Sequence, residues 1–234
     1  MASISLVIPA KDEEDNIQET VSSIVKILYS LCTDYQIILI NDGSVDKTKM
    51  IMEGMRRIQG NRIRILHNEA NRGMGACLRS AFSVATKDLI LYTDMDMPVR
   101  ANDIKKAVEI FEKGSVDILS LYRDDWKRES FLHSIYSYVY NFFVQIFFDV
   151  KVRDISFACK LFKREILQKI SIRSDTAFAK TEFLIKCSRL GYRILQFPVR
   201  YNKRKKGVSK FNNFQKIFNI LREAVIFRCQ FYSA

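Results

Sequence analysis

Short apolar runs alternate with helix-period segments through the first part of the sequence. Residues 4–9 read as a buried strand, and residues 17–31 as an amphipathic helix with Ile17, Val21, Ile24, Ile27 and Leu28 on one face. A strand over 36–40, a helix over 47–58, a strand over 62–66, a helix over 75–85 and a fourth strand over 89–93 follow. Strands that take turns with helices pack as a mainly parallel sheet covered on both faces, because each crossover helix buries its apolar stripe against the sheet. The expectation is an α/β domain of nucleotide-binding type.

In open sheets of this kind, ligands bind beyond the carboxyl ends of the strands. The unusual residues of the chain fall there. The first strand runs into Pro9-Ala10-Lys11-Asp12-Glu13-Glu14 and the second into Asn41-Asp42-Gly43-Ser44. Asn71-Arg72-Gly73-Met74-Gly75 follows the third, and Asp94-Met95-Asp96 ends the fourth. Four polar clusters are therefore expected to converge on one rim.

Charge divides the chain. Residues 1–150 carry 18 basic and 21 acidic side chains, and residues 151–234 carry 20 and 5, giving local charges of −3 and +15 within a total of +12. The last third thus calls for an anionic partner: nucleic acid, a membrane surface or a phosphorylated ligand. With 48% apolar and 27% charged residues, general disorder is excluded. The five cysteines (Cys32, Cys77, Cys159, Cys187 and Cys229) are scattered without a CxxC pair, which argues against a disulfide framework or zinc site and for a reducing compartment. The N-terminus opens directly into a strand, so no signal peptide is expected.

The second half reads differently. Residues 131–150 are strongly apolar and about as long as a membrane span. Yet Ser134, Ser137, Asn141 and Gln145 recur at three- and four-residue spacing, a polar stripe along one helical face. An amphipathic helix over 131–148 is expected, lying against the sheet or in a membrane interface. A second, over 213–231, carries Phe214, Ile217, Phe218, Leu221 and Val225 on one side. No transmembrane helix is expected.

Asp94 and Asp96 are the first candidates for chemistry. Two carboxylates two residues apart at a strand end suit a hard cation such as Mg²⁺ or Mn²⁺, which keeps few protein ligands and fills its other positions with phosphate oxygens and water. Asp42-Gly43-Ser44 reads either as a turn that caps the next helix or as a carboxylate that bonds a base or ribose. Asn71-Arg72-Gly73-x-Gly75 reads as a Gly-rich entry to a helix, or as backbone N–H groups and Arg72 brought close to phosphate. No Walker pattern and no GxGxxG occurs, which disfavours ATPase and dinucleotide readings. His67 and His133 are expected to be structural.

Taken together, Val7-Ile8-Pro9-Ala10, Glu13-Glu14-x-Asn16-Ile17, Asn41-Asp42-Gly43-Ser44-x-Asp46-x-Thr48, Asn71-Arg72-Gly73-x-Gly75 and Asp94-x-Asp96 resemble the family-2 glycosyltransferases of GT-A fold. Arg123, Arg128, Val152-Arg153-Asp154, Lys160-Leu161-Phe162, Phe197-Pro198-Val199 and Arg204-x-x-Gly207-x-Ser209-Lys210 are similar to the polyprenyl-phosphate hexosyltransferase branch, which includes dolichyl-phosphate mannose and glucose synthases. The resemblance implies one catalytic domain over 1–234, with a nucleotide-sugar half over 1–100 and an acceptor half over 101–234. It departs at Phe157-Ala158-Cys159 and at Gln196, where the family usually has Glu. Glu182 is the match for an acidic residue expected on the late helix.

The roles this resemblance implies are as follows. Pro9, Ala10 and Glu13 would line the nucleotide, and Asp42 would contact base or ribose. Arg72, Gly73 and Met95 would join the donor site, with Asp94 and Asp96 serving the sugar diphosphate and a Mg²⁺ or Mn²⁺ ion. Arg204, Ser209 and Lys210 would close over the diphosphate, with Ser209 also on the acceptor side. Arg123, Arg128 and Ser130 match positions for the acceptor phosphate, and Asp154 an acidic residue near it. Asp94, Asp96, Asp154 and Arg204 are the implied catalytic set. The implied reaction is inverting transfer of a hexose from a GDP-mannose- or UDP-glucose-type donor to dolichyl or undecaprenyl phosphate; Lys160-Leu161-Phe162 leans toward glucosyl-type relatives.

A polyprenyl phosphate needs no general base, because a phosphate monoester with a second pKa of about 6 is already largely dianionic at neutral pH. It needs arginines, whose planar forks match phosphate oxygens. The implied placement is the cytoplasmic face of a membrane, held peripherally, with room for a membrane-embedded partner subunit. Many relatives carry C-terminal transmembrane helices, whereas this sequence stops at Ala234. Two alternatives stand beside this reading. One keeps the donor site but uses a hydroxyl acceptor, with Asp154 as base. The other is a nucleic-acid-binding module built on Arg200-x-x-Lys203-Arg204-Lys205-Lys206, which lacks interleaved aromatics apart from Tyr201 and leaves Asp94 and Asp96 unexplained.

Overall fold

The computed structural model describes residues 3–31, 34–96, 99–124, 131–200 and 214–232. The chain runs β1 (Ile4–Ala10), α1 (Ile17–Leu31), β2 (Tyr35–Asp42), α2 (Thr48–Gln59), β3 (Ile63–Asn68), α3 (Met74–Val84) and β4 (Leu89–Thr93). It continues with α4 (Ala101–Lys113), β5 (Ile118–Arg123), α5 (Phe131–Phe148), β6 (Cys159–Lys163), α6 (Ala179–Arg189), β7 (Ile194–Val199) and α7 (Phe214–Tyr232). The first seven elements fall within two residues of the sequence expectation. The sequence reading assigned no element to α4, β5, β6 or β7, although Ile104, Val108 and Phe111 give α4 a buried face at helical spacing.

The strands form one sheet in the order β3-β2-β1-β4-β6-β5-β7. Neighbours are parallel except at β6, which runs antiparallel to both β4 and β5. The sheet is therefore mainly parallel, as expected, with one reversed strand that hydrophobic pattern cannot announce. The reversal has a positional result: β6 begins at the rim where β4 and β5 end, with Thr93 opposite Cys159 and Ser120 opposite Lys160.

β1 is central and every residue in it is buried, so its side chains serve both faces. Ile4, Leu6 and Ile8 join α1, α2 and α4 in one core layer, where Ile17, Val21, Ile24 and Leu28 recur at helical spacing. Val7 points to the other layer, with α3, α5, α6 and α7. There Phe162 packs edge-on to Phe82 and lies 4.7 Å, centroid to centroid, from Phe183.

α5 is amphipathic, with Asn141 and Gln145 of its polar stripe turned inward. The Asn141 side chain accepts from the Ile155 N–H at 2.8 Å, and Gln145 Nε2 donates to the Val152 carbonyl at 3.0 Å. These amides satisfy the backbone of the segment leading to β6, which no ladder would otherwise pair. Val144 and Phe148 are buried beside them. Tyr138, Val139, Phe142 and Ile146 remain 55–67% exposed on the opposite face. On α7, Ala224 and Phe227 are buried, whereas Val225 and Ile226 are exposed. No helix among the described residues is long and apolar enough to cross a membrane.

Candidate functional site

The loops after β1 and β2 are laced together at the rim. Lys11 Nζ donates to the Gly43 carbonyl at 2.9 Å, the Asp12 N–H to Ser44 Oγ at 2.9 Å, and the Val45 N–H to Asp12 Oδ1 at 2.9 Å. Asp12 holds a left-handed φ of 47°, a conformation Asp tolerates better than most residues. Pro9 and Ala10 end the buried strand, and the Glu13 N–H donates to Thr48 Oγ1 at 2.8 Å. Glu13 Oε2 accepts from Asn16 Nδ2, also at 2.8 Å. His67 is held between Asn41 and Glu53, whose carboxyl this hydrogen bond lowers below the usual range.

Asp42 is occupied by its own chain. Its carboxylate is buried and accepts from the Arg72 N–H at 2.8 Å, the Gly73 N–H at 3.1 Å and Asn68 Nδ2 at 2.9 Å. The two N–H groups read as phosphate donors from sequence thus point at Asp42, because a buried carboxylate needs donors. Nor does Asp42 cap α2: the Thr48 N–H donates to Asp46 instead, at 2.9 Å. Gly43, at φ 65°, passes so close to the Ala70-Asn71 backbone that a Cβ would lie 2.5 Å from it.

The Gly73-x-Gly75 entry to α3 is covered by residues 173–177. The Gly75 N–H donates to the Asp175 carbonyl at 2.9 Å, and Arg79 donates to the Arg173 and Ser174 carbonyls and pairs with Asp175. Two carboxylates hold this loop from behind. Glu182, fully buried, accepts from the Arg173 and Ser174 N–H groups and from Lys186 Nζ. Glu223 of α7 accepts from Ser174 Oγ at 2.6 Å and Thr176 Oγ1 at 2.7 Å. The acidic residue matched on the late helix therefore organises a loop.

Asp94 and Asp96 follow β4 and are half-buried. Tyr92 donates its hydroxyl to Asp94 Oδ1 at 2.6 Å. Burial first, then the charges of Asp94 and Asp96, push the Tyr92 phenol well above its ordinary value, so both carboxylates bear on one point of the rim. Met95, between them, is buried in the core, and its carbonyl accepts from Thr20 Oγ1 at 2.8 Å. Lys180 Nζ lies 3.5 Å from Asp94 Oδ2.

Lys160 stands opposite both Tyr92 and Ser120, fully buried, with its ammonium donating to the Phe157 carbonyl. Burial, followed by the charge of Lys180, lowers its pKa to about 7. Ser120 Oγ, its neighbour across the ladder, is buried without a hydrogen-bond partner among the described residues. Further along the rim, Arg123 Nε and Nη2 donate to Asp154 Oδ2 and Oδ1 at 2.6 and 2.8 Å. Gln196 supports this region from β7, accepting from the Arg153 N–H at 2.7 Å and donating to the Lys151 carbonyl at 3.0 Å. An amide can do both; the usual Glu cannot donate when ionised.

The rim therefore brings together Pro9, Ala10, Glu13, Asp42, Arg72, Gly73, Asp94, Met95, Asp96, Arg123 and Asp154. Arg128, Ser130, Arg204, Ser209 and Lys210 lie outside the described residues. Lys180, Lys160 and Tyr92 are the residues that sequence reasoning missed as site groups. Among the described residues, no cluster of three or more His, Cys, Asp or Glu side chains could hold a metal ion. A pair of half-buried carboxylates suits a cation that draws its remaining ligands from a bound phosphate and water.

A family model for glycosyl transferase family 2 matches residues 5–171. The chain is 28% identical over 205 residues to the glycosyltransferase AglD of Haloferax volcanii, covering 84% of this chain and 32% of that protein. It is 25% identical over 224 residues to dodecaprenyl-phosphate galacturonate synthase of Rhizobium johnstonii, covering 93% and 65%. It is 22% identical over 222 residues to undecaprenyl-phosphate 4-deoxy-4-formamido-L-arabinose transferase of Edwardsiella ictaluri, covering 95% and 66%. The chain thus spans from about a third to about two thirds of the length of these curated relatives. Among solved structures, glucosyl-3-phosphoglycerate synthase of Mycobacterium tuberculosis in complex with phosphoglyceric acid superposes with a TM-score of 0.75 at 17% identity, covering 98% of this chain and 80% of that one. The same enzyme with Mg²⁺ and uridine diphosphate gives 0.71 at 18%, with the same coverage. These structures share the fold.

Proposed function

Because the chain belongs to glycosyl transferase family 2, we propose that it transfers a sugar from a nucleotide diphosphate to a polyprenyl phosphate at a membrane surface. The observation that carries this reading is the shared rim: the carboxylates after β4 and the Arg123–Asp154 pair stand on either side of β6. A donor diphosphate near Asp94 and Asp96 and an acceptor phosphate near Arg123 would meet across Lys160. Two relatives named for transfer involving dodecaprenyl or undecaprenyl phosphate support this acceptor class. The whole chain then acts as one catalytic domain, with a donor half over 1–100 and an acceptor half over 101–234.

Asp94 and Asp96 would hold a Mg²⁺ or Mn²⁺ ion, which when bound neutralises charge on the leaving diphosphate. The relative solved with Mg²⁺ and uridine diphosphate supports that pairing. The chain's own residues bind and orient. The buried Tyr92 hydroxyl fixes the Asp94 carboxylate. Arg123, with Arg128 and Ser130, receives the acceptor phosphate, while Arg204, Ser209 and Lys210 close on the donor. A phosphate oxygen attacks the anomeric carbon opposite the departing diphosphate, and no general base is required. Asp154, with both oxygens held by Arg123, is placed to steer that guanidinium rather than to take a proton.

The exposed apolar stripe on α5, with Val225 and Ile226 on α7, is the membrane-facing surface in this reading. The +15 charge of residues 151–234 favours an anionic leaflet, at about 1 kcal/mol per basic residue near the surface. These features support a peripheral position on the cytoplasmic face.

The test is incubation with labelled UDP- and GDP-sugars, Mn²⁺, and either a polyprenyl phosphate or an oligosaccharide. Label that passes into organic solvent only with the lipid supports the proposal; label retained on the oligosaccharide overturns the acceptor class. Asp96→Ala should abolish transfer while thermal melting shows a folded protein.

A further inference from the structure

Lys180 is a charged side chain in the buried first turn of α6. Ala179 and Thr181 on either side of it are fully buried, and Lys180 itself is 5% exposed. A lysine in such a place is costly unless its ammonium has a partner. Its partner is Asp94, 3.5 Å away, the first of the two carboxylates that would hold the cation. The other oxygen of Asp94 accepts from Tyr92, so both oxygens already face donors from the protein. Lys160, 2% exposed, stands opposite Tyr92 on β6. The carboxylate end of β4 is therefore backed by positive charge that the chain supplies itself.

A divalent cation arriving alone must share Asp94 with this ammonium, and at low local dielectric the repulsion is substantial. An anionic diphosphate arriving with the cation reverses the balance, because the ammonium then attracts the incoming anion. We propose that Lys180 is a positioning residue of the donor site: it keeps the protein's affinity for a free divalent cation low and makes cation and nucleotide diphosphate bind together. This rests on the donor reading of the rim given above. Its consequence is an interdependence: the cation affinity rises when the diphosphate is present, and the diphosphate affinity rises by the same factor when the cation is present.

The experiment is titration of the full chain with Mn²⁺ alone, followed by the loss of the free-ion electron paramagnetic resonance signal, and then with Mn²⁺ in the presence of UDP or of GDP. Lys180→Met should bind Mn²⁺ alone about ten-fold more tightly than wild type, the scale of one repulsive charge removed at a partly screened site. The gain in Mn²⁺ affinity on adding the nucleotide should shrink by a similar factor. Lys180→Arg, which keeps the charge, should behave as wild type, and circular dichroism checks that each variant is folded. If Lys180→Met binds Mn²⁺ no more tightly than wild type, or if none of the proteins binds Mn²⁺ alone or with nucleotide, the proposal fails. Tighter Mn²⁺ binding by Lys180→Met with no binding of UDP or GDP would uphold the repulsion at Asp94, and would overturn the diphosphate coupling together with the donor reading.

Discussion

The Arg123 guanidinium grips the Asp154 carboxylate at two points, Nε to Oδ2 at 2.6 Å and Nη2 to Oδ1 at 2.8 Å. The pair joins the last residue of β5 to a residue held at a left-handed φ of 44° in the loop before β6. The Arg123 guanidinium also lies over the Phe157 ring, 5.3 Å from its centroid. A phosphate that reaches Arg123 therefore meets a fork already aimed, with Asp154 as the group it must displace or share.

Removing one partner strands the other. Arg123→Ala is expected to destabilise the fold by about 3 kcal/mol, because a largely buried carboxylate loses its cation. Arg123→Ala combined with Asp154→Ala should cost less than the two single changes added together. Urea denaturation of both single variants and the double variant measures that coupling. Strict additivity would mean that the two groups act apart.

Lys160 links stability to pH. With its pKa lowered to about 7 by burial, the folded chain has given up a proton that the unfolded chain retains up to its ordinary value of 10.5. Stability from this group therefore rises with pH between those values, and its cost is full below pH 7. Lys160→Met should gain several kcal/mol on wild type in acid, less the lost hydrogen bond to Phe157, with the gain fading as pH rises. Urea midpoints from about pH 5.5 to pH 9.5 test this; a constant difference across the range would rule it out.

Gly75 sits where no side chain fits. A Cβ there would meet the Ser174 carbonyl oxygen at 1.8 Å, and that contact is backbone, which cannot turn aside. Gly75→Ala should push residues 173–177 off the start of α3 at a cost of about 2 kcal/mol. Faster tryptic cleavage after Arg173 in the native protein would report the displaced loop. Unchanged cleavage would mean that α3 itself had shifted.

Glu182 should prove structural. Its buried carboxylate holds the Arg173 and Ser174 N–H groups and Lys186. Glu182→Gln replaces an ionised acceptor by an amide that must also donate, and is expected to cost about 2 kcal/mol. Turnover per folded molecule should fall far less than for Asp96→Ala. Equal losses from the two changes would place Glu182 at the reaction itself.

The rim was readable before the structure because strand ends announce themselves: an apolar run that stops at Asp94 or Asn41 needs no tertiary information. What lies behind the rim was not readable. Lys180 approaches Asp94 across 86 positions of sequence, and only the packing of α6 against the sheet brings them together. The same applies to Asp42, whose motif fits a ligand contact or a loop brace equally well; only the fold shows that the Arg72 and Gly73 N–H groups brace its carboxylate. The polar stripe of α5 was legible as a stripe, but its direction depended on which backbone groups of residues 150–155 lacked partners. Strand direction was hidden for the same reason: β6, with its first four residues buried, carries nothing in its pattern that marks direction, and its reversal follows from the path of the chain.

That reversed strand also imposes an order of assembly. β1 to β4 are contiguous in the sheet and in the sequence, so they can pair as soon as they are synthesised. β5 cannot, because both of its neighbours, β6 and β7, are made after it. On a growing chain, β5 exposes two unpaired edges until β6 emerges, and such an edge is open to pairing with another chain. The part of the sheet built from β1 to β4 can thus be nearly complete while the part around β5 still waits for its neighbours.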